Sequence, residues 1–315
     1  MFTRTFFKLF PPPHYLNIPY SGLDISDDAI RAVDMHKTSK GFIVKNYGIE
    51  PLAQGVIESG QIKDTDALVQ SLKNIKERIK LNVVRASLPE ERMYLFKTEV
   101  PTNDENEIRQ LIEFKLEENV PLSPSESIFF FDLIPNANTS KQHFASVSVA
   151  PQDIVNSYLE AIKKAGMTVI AFDIQPKAIA RAIVPKGSLD TEMIVHIMNK
   201  STGVYIVTGG VLCFTSTIPW GKENVENSND LKKELGRVYE YWKDRGQSSI
   251  GRIVLSGSSA LKDGLLSQIA PDPHIPVELA QVWRNAFSTD EYIPPIPFEE
   301  SLDYAVAIGL SLPIQ

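Results

Sequence analysis

SGLDISDDAIRAVDM, residues 21–35, and MIVHIMNKSTGVYIVTGGVLCFTSTIPWG, residues 193–221, are two versions of one pattern. Each runs apolar, breaks at a short polar turn (Ser26-Asp27-Asp28 in the first, Lys200-Ser201-Thr202 in the second) and becomes apolar again. Short apolar runs bounded by Ser, Asp, Asn or Gly read as strands joined by tight turns. In the first copy Leu23, Ile25, Ile30, Ala32 and Val33 are the strand residues, and Phe42 and Val44 extend the pattern past Ser39-Lys40-Gly41. The second copy reads as three strands, with a further turn at Gly209-Gly210. A hairpin that returns in altered form in the second half of a chain predicts two α/β domains of related topology.

The segments around these hairpins fit that order. Leu68, Leu72, Ile75 and Ile79 recur at helical spacing, with Asp64 or Thr65 placed to cap the helix, and a strand follows in VVRASLP. Residues 90–169 read as a separate, inserted α+β module. It comprises a helix carrying Ile108, Leu111, Ile112 and Leu116 behind a Thr102/Glu105 capping box, then the strand runs SIFFFDLI and HFASVSVA, then a helix from Gln152 to Ala165 stopped by Gly166. Phe129, Phe130 and Phe131 read as a buried or edge strand, and an edge strand beside a groove can accept an extended peptide. Beyond the second hairpin, Leu231, Leu235, Val238 and Trp242 mark one helix face, RIVLSGSSALKDGLLSQI gives strand, turn and helix, and SLDYAVAIGLSL closes as a helix. The predicted division is a tail at 1–19, domain I at 20–89 completed by 170–186, the insertion at 90–169, and domain II at 187–315.

Composition excludes several function classes. With 43% hydrophobic and 23% charged residues over 315 positions, the chain can bury a real core. A net charge of −7 without a compact Lys/Arg run argues against a nucleic-acid partner, because a phosphate backbone needs a basic surface. Cys213 is the sole cysteine, expected as a buried small hydrophobe, and the five histidines are scattered, so no metal site is predicted. No apolar run reaches the ~20 residues that span a bilayer. Phe6, Phe7, Leu9 and Phe10 with Arg4 and Lys8 make either a short amphipathic toe-hold or a plain tail ended by Pro11, Pro12 and Pro13. There is no GxxxxGK[ST] loop, GxSxG elbow or HExxH, so no catalytic residue is assigned. The pairs Glu90-Glu91, Glu117-Glu118 and Glu299-Glu300 are expected to be solvated.

Five motifs in order resemble the type IV pilus assembly PilM family. SGLDISDDAIRAVDM is similar to the family's first phosphate hairpin, and MIVHIMNKSTGVYIVTGGVLCFTSTIPWG to its second. AFDIQPKAIARAI resembles its strand-then-helix crossing, ELGRVYEYWKDRG its domain II helix, and RIVLSGSSALKDGLLSQI its adenosine turn. The resemblance implies an actin-like, ribonuclease H-like two-domain fold with an inserted α+β subdomain and a reduced cap on the second domain. It implies a scaffold at the inner face of the cell membrane, binding the N-terminal tail of a PilN-like membrane protein beside the insertion and acting with other pilus assembly proteins. Membrane association is then indirect, and the protein cytoplasmic and peripheral.

The resemblance also places a nucleotide site on Asp24, Ser26, Asp27, Asp28 and Arg31 of the first hairpin, Asn199, Ser201 and Thr202 of the second, and Gly257 and Ser258 of the adenosine turn. The departures weaken it. Ser26-Asp27-Asp28 replaces Gly-Ser-Ser and would repel a triphosphate without Mg²⁺. His196 replaces an acidic residue, Met198 a glycine, and KENVENSND is shorter than the family's covering stretch. The expectation is a degenerate site with no cofactor and no enzyme activity. The alternative is a switch of the same assembly binding ATP with Mg²⁺. A cell-division homologue like FtsA carries a C-terminal amphipathic helix, and a GspL-like domain runs into a transmembrane helix. Neither pattern is seen before Gln315.

Overall fold

In a computed structural model, residues 18–101, 104–135, 143–222, 228–245, 247–262 and 264–314 are described. The first hairpin forms β1 (Ser21–Ile25) and β2 (Ala29–Thr38), followed by β3 (Gly41–Pro51). Two short strands, β4 (Ile57–Glu58) and β5 (Gln61–Ile62), precede α1 (Thr65–Ile79). Asp64 caps α1 by accepting from the Ala67 N–H, and Leu68, Leu72, Ile75 and Ile79 are buried as the spacing requires. Then come β6 (Val83–Leu88), β7 (Tyr94–Val100), α2 (Glu105–Asn119), β8 (Ser127–Ile134), β9 (His143–Pro151), α3 (Gln152–Lys164), β10 (Thr168–Ile174) and α4 (Gln175–Ile183). Asp104, not Thr102, supplies the cap of α2, accepting from Asn106 and Glu107 N–H groups, and Thr102 lies outside the described residues. The strand β7, YLFKTEV, is an element that the sequence patterns above do not mark.

The second half repeats the first. Its elements are β11 (Thr191–Ile197), β12 (Thr202–Thr208), β13 (Val211–Ile218), α5 (Ser228–Asp244), β14 (Ile250–Ser256), α6 (Leu265–Gln268), β15 (Val277–Leu279), α7 (Phe298–Ser301) and α8 (Ala305–Ser311). The first sheet runs β10-β6-β1-β2-β3 and the second β13-β12-β11-β14-β15. In each, a three-strand antiparallel meander is joined through its first strand to two parallel strands. This duplicated sheet is the actin-like, ribonuclease H-like architecture. α4 and α8 pack on each other between the sheets, α8 against β1 and α4 against β13.

The cores redraw two of the expected boundaries. β7, β8, β9 and α2 enclose their own small core around Val100, Ile108, Ile112, Leu116 and Val147. Helix α3, expected inside the insertion, instead puts Ile154, Tyr158, Ala161 and Ile162 into the core of the first sheet. Residues from Ala280 on, expected in domain II, also return there: Trp283, Phe287, Leu302 and Ile308 share that core. Small residues enforce the return. A Cβ on Gly309 would lie 1.8 Å from the Ala178 carbonyl oxygen, and one on Gly22 2.0 Å from that of Ala307. Cys213 is half-buried on β13 rather than sealed in. The aromatic toe-hold, most of the turn after Pro135 and residues 223–227 of KENVENSND lie outside the described residues.

Candidate functional site

The two hairpin turns face each other because β1–β2 and β11–β12 occupy the same place in their respective sheets. Between them lies a recess of about 40 Å³, lined by Asp24, Ser26, Asp28, Arg31, Asn199 and Ser258 among the expected residues. Gln175, His196, Met198, Lys222, Ser259 and Asp303 complete its wall. A water needs ~10–15 Å³ measured this way, so the recess has room for about three waters. A nucleoside triphosphate needs a cleft of ~300 Å³ or more.

Side-chain bonds across the turns keep the recess small. Asn199 Nδ2 donates to Asp28 Oδ2 at 2.6 Å, joining the two hairpins. The same carboxylate takes an Arg31 guanidinium N–H at 3.3 Å, and Ser26 Oγ donates to Asp28 Oδ1 at 2.8 Å. Three backbone donors at the turns are occupied: Ser26 N–H donates to the Ala29 carbonyl, Met198 N–H to that of Ser201, and Lys222 N–H to that of Met198. The adenosine turn is tied likewise, with Ser258 N–H on Asp303 Oδ1 at 2.6 Å.

Asp24 sits at the base, 3% exposed, and accepts at Oδ1 from Ser87 Oγ (2.9 Å) and Gln175 Nε2 (3.0 Å). Burial raises its pKa against the opposing pull of the Gln175 bond, the Arg31 charge and the Ser87 bond. His196 is 8% exposed and its Nδ1 has no partner. Burial drives its pKa down to about 4, so the imidazole is neutral at physiological pH. Ser87 and Asp303 carry no sequence signal, since each reaches the recess only through strand pairing or chain return, and Gln175 lies in the crossing motif AFDIQPKAIARAI without being singled out by it.

The other expected residues go elsewhere. Asp27 turns outward and accepts from Ser59 and Gly60 N–H groups at 2.7 and 3.0 Å. With Ser201 it lines an outer chamber of about 560 Å³ that holds Glu58, Glu91 and Lys200 and shares Ser26, Asp28 and Asn199 with the recess, so it opens between the same two turns. Thr202 is fully buried and donates to the Trp220 carbonyl at 2.6 Å, a strand contact rather than a ligand contact. Gly257 is absent from the wall. Its φ of +90° and the Ile197 carbonyl oxygen 2.1 Å from where a Cβ would sit explain the glycine structurally.

Glu90 corrects another expectation. Far from solvated, it is 5% exposed and accepts from Thr217 Oγ1 at 2.7 Å. Glu91, Glu117, Glu118, Glu299 and Glu300 are exposed.

A second concavity, about 480 Å³, runs along β8 beside α4. Phe130, Phe131, Phe172, Val184 and Val211 give it an apolar lining, with the Lys177–Asp132 pair (2.6 Å) and the Arg181–Asp173 pair in its wall. In the order β7-β9-β8, β8 is an edge strand. Among the described residues no group of His, Cys, Asp and Glu has metal-binding placement, and no helix is long and apolar enough to cross a membrane.

Comparison with known proteins places this architecture. The PilM-PilN type IV pilus biogenesis complex superposes with a TM-score of 0.77 at 19% identity, over 93% of this chain and 98% of that chain. The ethanolamine utilization protein EutJ from Carboxydothermus hydrogenoformans superposes with a TM-score of 0.52 at 12% identity, over 94% and 90%. At such identities the likeness establishes the fold. No curated protein matches the sequence. The family model for type IV pilus assembly protein PilM matches residues 22–240, well over half of the 315, and the chain therefore belongs to the type IV pilus assembly protein PilM family.

Proposed function

We propose that this protein is a scaffold of type IV pilus assembly that holds the N-terminal tail of a PilN-like membrane protein in the groove beside β8, with a nucleotide site that no longer works as one. The observation that carries the reading is the groove of about 480 Å³ beside the edge strand β8, walled by Phe130, Phe131 and Phe172, set against hairpin turns that are tied to each other by the Asn199–Asp28 bond. Affinity for a nucleotide would require breaking the Asn199–Asp28 bond and seating phosphates beside Asp24, Asp28 and Asp303, and Coulomb repulsion opposes that. An extended tail meets no such obstacle. It finds an unpaired strand edge, aromatic walls and a groove of ordinary ligand size. The structure of the PilM-PilN complex supports the choice of partner. Attachment to the inner face of the membrane would then run through that partner, alongside other pilus assembly proteins.

Calorimetric titration tests this reading with a synthetic N-terminal tail of the PilN-like protein and, separately, with ATP and Mg²⁺. The tail should bind, and millimolar ATP should give no heat. Tight ATP binding that Asp24→Ala abolishes would replace the scaffold reading with the ATP-gated switch.

A further inference from the structure

The junction between the two halves contains a carboxyl group that neither the groove nor the hairpins use. Glu90 lies in the short turn Glu90–Arg92, directly after β6 of the first sheet. Its side chain crosses to the second sheet, where Thr217 of β13 donates to Oε1 at 2.7 Å and the Tyr205 hydroxyl of β12 also bonds the carboxyl. Gly203 makes this reach feasible, since a Cβ there would lie 1.9 Å from the Tyr205 hydroxyl oxygen. Glu90 Oε2 is buried with no partner. The ionisable neighbours around Glu90 are Glu91 on its own turn and Tyr205 on β12, with Thr217 as the polar contact from β13, and among the described residues no cation offsets a charge there.

An ionised carboxylate with one oxygen unsatisfied and no cation beside it is costly in such a site, and protonation removes that uncompensated charge. We propose that Glu90 is a proton-controlled clasp between the two halves of the molecule, holding them together while neutral and releasing them when ionised. Burial first, and the charge of Glu91 second, hold its pKa at about 8, against the pull of the Tyr205 and Thr217 bonds. The clasp stands beside the outer chamber, whose wall includes Pro89 and Glu91, so release widens the space between the hairpins.

Linkage sets the shape of the response. An open state with a solvated Glu90 titrates near its ordinary value of 4.5, and the closed state near 8. The open-to-closed ratio therefore rises about tenfold per pH unit up to about pH 8 and is flat above it.

The experiment is pulsed electron–electron resonance on the full chain with spin labels at Glu58→Cys and Lys200→Cys in a Cys213→Ser background, from pH 6 to 9.5. The wild-type clasp should show a longer-distance population growing with pH and levelling above about pH 8. Glu90→Gln, which keeps an uncharged hydrogen-bonding group, should hold one distribution throughout. Thr217→Val removes a bond that favours the charged form, so its levelling point should move to higher pH. This variant decides the matter if Glu90→Gln does not fold. A closed distribution at every pH, or the same pH response in wild type and Glu90→Gln, overturns the clasp. Because no partner tail or nucleotide enters, these outcomes leave the scaffold reading untouched.

Discussion

Asn199 and Asp28, 171 positions apart in sequence, share a 2.6 Å hydrogen bond that joins the tips of the two hairpins. It places an amide donor from the second half on the carboxylate that Arg31 also holds, so the turns expected to face phosphate face each other instead. Removing the amide with Asn199→Ala should lower unfolding stability by about 1 kcal/mol in urea titration. The same variant should enlarge the recess without creating nucleotide affinity, because Met198 and the occupied backbone donors remain. A gain of tight ATP binding in Asn199→Ala would show that the bond alone blocks the site.

Glu90 gives stability a dependence on pH above the acid range. Its folded pKa of about 8 lies above the ordinary value of 4.5, so its contribution is fully present below 4.5 and is lost as pH rises through about 8. The loss is on the order of a few kcal/mol for a shift of this kind. Urea midpoints measured from pH 5 to 9 should fall for the wild type, and Glu90→Gln should remove most of that slope.

His196 acts at the other end of the scale. Its folded pKa of about 4 lies below the ordinary value of 6.5, so its contribution is present above 6.5 and is lost as pH falls toward 4. Asp303, Arg31 and Asp28 face it, the first and last partly offsetting burial. Thermal midpoints should drop between pH 6.5 and 4, and His196→Gln should shallow that drop.

The crossing of α4 and α8 depends on Gly309. A methyl group there would meet the Ala178 carbonyl at 1.8 Å, and backbone on both sides cannot yield as a flexible side chain would. Gly309→Ala should destabilise the protein by about 3 kcal/mol or more, read as a large loss of urea midpoint or as failure to accumulate in soluble form. A midpoint within experimental scatter of the wild type would mean the helices can slide apart freely.

Lys177 lies in the groove wall, its ammonium 2.6 Å from Asp132 and 4.3 Å from the centre of the Phe130 ring. Lys177→Glu puts two carboxylates side by side in the groove wall, where the Lys177 side chain is only 18% exposed, so the melting temperature should fall as well. Affinity for the PilN-like tail, measured well below that melting temperature, should fall at least about tenfold, the equivalent of 1.4 kcal/mol. Unaltered affinity would move the tail out of this groove.

Local elements and their kinship are written in the order of neighbouring residues. Periodicities of two and near 3.6 are properties of consecutive side chains, so the hairpins, the face of α1 and the strand β8 were readable from Ile25, Leu72 or Phe130 alone. The duplicated hairpin likewise announced a duplicated sheet, and the ordered motifs announced the family.

Which of those residues meet depends on how the two sheets pack. Ser87 and Gln175 reach Asp24 only because β6 and α4 lie beside β1, and Thr202 turns inward because the register of β11 on β12 buries it. Glu90 looked like one of three solvated acidic pairs, yet the second sheet covers it while Glu91 stays in water. The return of α8 to the first sheet was equally invisible, since an apolar helix carries no address for the surface that buries it. Burial, and with it charge state, belongs to contacts between segments far apart in the chain, and those contacts exist only once both sheets are packed.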